Sequence, residues 1–86
     1  MTESAKTSVP GEIDIRNLVP AQRHAKIFQL VADLKAGTSF VFVNDHDPKP
    51  LRYQLDAEYP GQFSWAYIES GPVAWRVEIG RLRQAA

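Results

Sequence analysis

The chain has 86 residues and not one cysteine. That absence removes disulfides, thiolate metal ligands, a nucleophilic thiol and persulfide chemistry together, and it fits a reducing cytoplasm. An excess of one charge is missing too, because ten Lys and Arg balance ten Asp and Glu. Nucleic-acid binders draw most of their affinity from phosphate contacts and carry a basic stripe. The nearest thing to one here is Arg81 and Arg83, which read as a solvated strand end. No apolar run approaches the roughly 20 residues that cross a bilayer, and Met1 to Pro10 has no apolar core of a secretory signal. Nucleic acid and membrane are therefore not expected as partners, and the expected location is cytoplasmic. A glycine-rich phosphate loop is also lacking.

A chain this short forms one core, and it buries only about 60% of its unfolded surface. Residues 1–10 read as a polar, disordered tail, 11–83 as a single domain and 84–86 as a frayed end. Ile13 and Ile15 alternate with charged neighbours, the period-two signature of a half-buried strand over Glu12 to Arg16. Pro20 then opens a helix, since its missing N–H would have no intrahelical partner. Ile27, Leu30, Val31 and Leu34 form its apolar stripe, widened by Phe28, and Gly37 is the expected left-handed cap after Ala36. Phe40 to Val43 is an unbroken apolar run that predicts a central strand covered on both faces. Asp47-Pro48 predicts an N-cap and first residue of a second helix, with Leu51, Leu55 and Tyr59 on its buried edge and Pro60-Gly61 ending it.

The last third predicts a β-hairpin, with Phe63, Trp65 and Tyr67 alternating before a turn and Val73, Trp75, Val77 and Ile79 after it. Turn length decides which way the aromatics face. A three-residue loop, Glu69-Ser70-Gly71, places all the large apolar residues on one side and is the expected arrangement; a two-residue Ser70-Gly71 turn would put the first strand's aromatics on the solvated side. The order strand, helix, strand, helix, strand, strand predicts an α/β two-layer sandwich: two helices on one face of a four-stranded mixed sheet whose first two strands are parallel.

That order, with Asp47-Pro48 after the second strand and a terminal Trp75-Arg76-Val77-Glu78-Ile79, resembles the TusA/SirA-like superfamily. The run Asn44-Asp45-His46-Asp47-Pro48-Lys49-Pro50-Leu51-Arg52-Tyr53-Gln54-Leu55, with Tyr59-Pro60-Gly61-Gln62-Phe63-Ser64-Trp65 and Gly71-Pro72, is similar to one bacterial family within it, a domain of unknown function. The resemblance spans Ile13 to Arg81 and implies a TusA-like fold, with members that stand alone or beside hemerythrin-like domains. A protein partner of that kind is the expectation it carries. Sulfur carriers of the superfamily open their first helix with Cys-Pro-x-Pro, and the corresponding Asn17-Leu18-Val19-Pro20 has asparagine where the persulfide forms. This chain is therefore not a sulfur carrier.

Ligands of βα arrangements bind beyond the carboxyl ends of the strands. His24 in the first turns of the first helix and His46 after the second strand fall at that edge, with Asp45, Asp47, Arg52 and Glu69 as expected neighbours. Imidazole with carboxylate suits a divalent transition metal, so His24, His46 and Asp47 are the candidate metal ligands. Asn44, Asp45, His46, Asp47 and Arg52 are the candidate ligand-binding set. Structural roles compete with most of these, His46 being the hardest to explain that way because loops rarely need imidazole. His24 precedes Ile27 and Phe28 on the apolar stripe, Asp47 serves as an N-cap, and Asn44 and Asp45 suit a turn. The expected function is a small accessory domain that binds a metal or small ligand at the His24/His46 edge. A ligand-free interaction module is the alternative, and a histidine-dependent enzyme using His46 and Asp47 the weaker one, for want of a nucleophile.

Overall fold

The computed structural model describes residues 11–83, so the expected terminal tails at 1–10 and 84–86 lie outside the described residues. The chain runs β1 (Glu12–Asp14), α1 (Pro20–Asp33), β2 (Ser39–Asn44), α2 (Lys49–Glu58), β3 (Phe63–Ser70) and β4 (Trp75–Arg81). The sheet order is β1-β2-β4-β3, with β1 parallel to β2 and the other two pairs antiparallel. Two helices and a four-stranded mixed sheet give the α+β arrangement that the pattern predicts.

Register explains the core. Ile13, Phe42, Val77 and Tyr67 lie in one row across the sheet, and Phe40, Ile79 and Trp65 in the next. Ile27 and Val31 of α1 and Leu55 of α2 pack against these rows, and Ile27, Val31, Phe42, Val77 and Ile79 are fully buried. Burial of this kind contributes about 1.5–3 kcal/mol per large side chain. The opposite sheet face is ionic. Arg76 bridges Glu12, at 3.4 Å, and Glu69 across three strands. Strand β2 is interior in the sheet order, as its apolar run predicts, while the core-packing residues of both helices lie on the other face. Val43 is nevertheless fully buried beside its cross-strand partner Arg76.

Three local expectations give way to tertiary partners. Helix α1 stops at Asp33, not Ala36, because Leu34 turns extended at ψ 128°. Its Val31 carbonyl accepts from Leu34 N–H and from the Arg81 guanidinium at 3.1 Å, while Gly37 N–H is drawn to Arg81 O. Gly37 does adopt positive φ, at 81°, but in the Lys35–Thr38 turn, where a Cβ would meet the Arg83 guanidinium. Asp47 does not cap α2. Pro48 holds the N-cap position without any side-chain bond, because the Asp47 carboxylate accepts from Tyr67 Oη at 2.7 Å. The hairpin turn comes later than expected. Ser70 still pairs with Trp75, and Gly71 N–H closes onto Ala74 O, which leaves Val73 77% exposed at the tip. Phe63, Trp65 and Tyr67 do face the same side as Val77 and Ile79, but a bulge at Ile68, between Tyr67 and Glu69, absorbs the odd residue instead of the turn.

Candidate functional site

Parallel pairing of β1 and β2 brings both carboxyl ends to one edge, and both helices start there. The hairpin turn joins them, since Asn44 pairs with Trp75. Arg23 organises this edge. Its Nε–H donates to Leu18 O at 2.7 Å, Nη1 to Asn44 Oδ1 at 2.7 Å and Asp45 Oδ1 at 2.9 Å, and Nη2 to Arg16 O at 2.9 Å and Asp45 Oδ2 at 3.1 Å. All five guanidinium donors are thereby used, and the loop after β1 is tied to the loop after β2.

The bond from Arg23, and secondarily one from His46, holds the Asp45 carboxyl well below the usual carboxylate range. An ionised carboxylate can only accept, so the 2.7 Å contact between Asp45 Oδ1 and His46 Nδ1 assigns the proton to Nδ1. His46 Nε2 has no partner among the described residues and is a lone-pair acceptor in neutral imidazole and a donor once protonated. His24 stacks on Phe28 with ring centroids 4.5 Å apart and planes 13° from parallel.

Between the two helix starts lies a partly open cleft of about 180 Å³. Ile15, Pro20, Pro48, Pro50 and Leu51 supply apolar wall, and Arg23, His24, Asn44, His46 and Gln54 the polar wall. Residues 12–81 match the family described as "Uncharacterized conserved protein (DUF2249)". The chain is a DUF2249 family member. No curated protein and no solved structure shows significant similarity to it.

In this DUF2249 domain the cleft unites His24, His46 and Asn44. The other candidates go elsewhere. Asp45 orients His46 from outside the lining, and Asp47 is held by Tyr67, whose phenol is pushed up first by burial and then by that carboxylate. The partner of His46 is thus Asp45 and not Asp47, which corrects the acid–base pair suggested by sequence. Arg52 is exposed and lies 4.0 Å from Asp56 one helical turn on, and Glu69 pairs with Arg76 on the ionic sheet face. Among the described residues no three His, Cys, Asp or Glu side chains form a group able to hold a metal ion, so His24, His46 and Asp47 do not assemble into one.

Sequence reasoning missed Arg23, Gln54 and Tyr67. A signal for Arg23 was present. The stripe of Ile27 and Val31, carried back four residues, lands on position 23, where a charge on a buried face needs a set of partners. Gln54 stands three residues after Leu51, at the exposed border of the apolar side of α2.

Proposed function

We propose that this is a non-catalytic accessory domain that binds a small ligand in the cleft between the starts of α1 and α2, with His46 Nε2 as its leading polar contact. One observation carries the reading: the Arg23–Asp45–His46 chain fixes an imidazole at the cleft wall and, among the described residues, leaves its second nitrogen unused. Carboxylate-oriented imidazoles with a free nitrogen are the groups that ligand sites use. A ligand other than a metal ion is favoured, because both nearby carboxylates already have protein partners. The resemblance to TusA-like domains, a cytoplasmic setting and a hemerythrin-like protein partner belong to the same proposal. A sulfur-carrier role does not, for lack of any cysteine.

The test is a two-dimensional NMR screen of the full chain against a mixed set of small neutral and charged fragments, with zinc titrated separately. His24, His46, Asn44 and Gln54 signals should move together with at least one fragment, and Gln54→Trp, which fills the cleft from an exposed position, should abolish the response. Fragment responses confined to other surfaces, or unchanged in Gln54→Trp, would refute the cleft. Stoichiometric zinc moving both imidazoles together would favour the metal reading instead.

A further inference from the structure

The cleft has a definite electrostatic sense. Both helices direct their amino-terminal ends toward it, Pro20 opening α1 and Pro48, Pro50 and Leu51 framing the start of α2. A helix start carries roughly half a positive charge, which capping oxygens or acidic first-turn residues ordinarily offset. Neither helix has a side-chain cap, and neither has an acid in its first turn. Among the described residues no acidic side chain lines the cleft.

Asn44 adds an independent pointer. It is only 5% exposed, and its Oδ1 accepts from Arg23 Nη1. That bond turns the amide nitrogen away from the guanidinium, and no described residue hydrogen-bonds it, although Asn44 lines the cleft. Gln54, whose Nε2 also donates to Glu58 Oε2 at 3.0 Å, brings a second carboxamide, and His24 and His46 two imidazoles, beside Arg23 and along walls of proline, isoleucine and leucine. Donors set among proline, isoleucine and leucine suit an anion with a short hydrocarbon body. They do not suit phosphate as well. Phosphate sites at helix starts rely on runs of backbone N–H groups, and prolines at 20 and 50 remove such donors from both helices.

We infer that the cleft binds a small aliphatic carboxylate, its oxygens held by the Asn44 amide and His46 Nε2–H and its hydrocarbon against Ile15, Pro48 and Leu51. This rests on the reading of the cleft as the ligand site. Because Asp45 engages Nδ1, His46 can donate through Nε2 only when the ring is protonated, so binding takes up a proton and tightens as pH falls. The charged and titratable groups around that ring are Asp45 on its own loop, Arg23 and His24 from α1, and Arg16, itself paired to Asp14, after β1. Asp47 follows it, held by Tyr67 of β3, with Arg52 of α2 close to that pair.

The experiment titrates the full chain with butyrate, butyramide, butylammonium and inorganic phosphate, following imidazole and side-chain amide signals. Butyrate should shift Asn44, Gln54 and both histidines saturably and bind severalfold more tightly at about pH 6, where it is still ionised, than at about pH 8. His46→Gln, at an exposed position, should flatten that pH dependence with the fold intact. Butyramide binding as tightly as butyrate would overturn the anion assignment and leave the cleft reading standing, and butylammonium preference would do the same. Phosphate binding more tightly than butyrate would overturn the carboxylate class. No response of the cleft signals to butyrate would overturn the inference outright, whereas loss of every fragment response in the broader screen would remove the cleft itself.

Discussion

Arg23 and Arg81 are both partly buried arginines on the helix-covered side of the sheet, one near each end of α1, and they are built in opposite ways. Arg23 has a protein acceptor for each of its five N–H groups and joins three segments of chain. Arg81 donates through Nη2 to Val31 O, lies over the Phe63 ring with its central carbon 4.7 Å from the centroid, and has a buried Nε–H with no partner among the described residues. At one end the guanidinium specifies loop geometry. At the other it serves as a hydrocarbon stem and a cation at a helix carboxyl terminus, where positive charge is favourable. The cleft lies at the end where every guanidinium donor is used, as a site that must hold an imidazole in one orientation requires.

The comparison is sharpest under substitution. Arg23→Met should have the largest effect, about 1–3 kcal/mol of stability by urea unfolding, because it strips charge-assisted bonds from two loops at once. Hydrogen exchange should rise in residues 16–18 and 44–46 while the Arg81 end keeps its protection; uniform loss across the chain would show that Arg23 has no local role. Arg81→Met should stay within about 1 kcal/mol of the native chain, since it removes the unpartnered Nε–H along with the single bond to Val31 O. A much larger loss would mean that the two arginines are equivalent after all.

Asp45→Asn tests the smaller, pH-dependent part. Because folding lowers the Asp45 pKa, its contribution is fully present above the ordinary aspartate value near about 4 and is lost as pH falls through the lower folded value. The variant should unfold at lower urea than the native chain at neutral pH, and the gap should narrow steadily as the solution is acidified. A gap that ignores pH would show that Arg23 and His46 do not stabilise the Asp45 charge.

Element order and the one-sided core were legible in the sequence because they rest on repeated choices: four residues agree on the α1 stripe, and three aromatics on the face of β3. The features that went astray each hang on a single distant partner. Arg81 ends α1 early, Tyr67 takes Asp47 away from α2, and the bulge at Ile68 takes up against β4 the odd residue expected in the turn. No local pattern encodes such partners. The site divides in the same way. Topology alone was enough to bring His24 and His46 to one edge, whereas the choice of Asp45 as the carboxylate behind His46 depends on Arg23, 22 positions away.

The bulge at Ile68 also bears on how the molecule behaves in company. Strand β3 is the long outer strand of the sheet, eight residues against three in β1, and an outer strand of that length is a template for adding another chain. Continuous pairing along it would need an unbroken ladder from Phe63 to Ser70, and the bulge breaks the repeat after Tyr67. An incoming strand in straight register could match only the stretch before the bulge. The residue that takes up the odd position against β4 thus also shortens the strip along which these domains could stack into fibres.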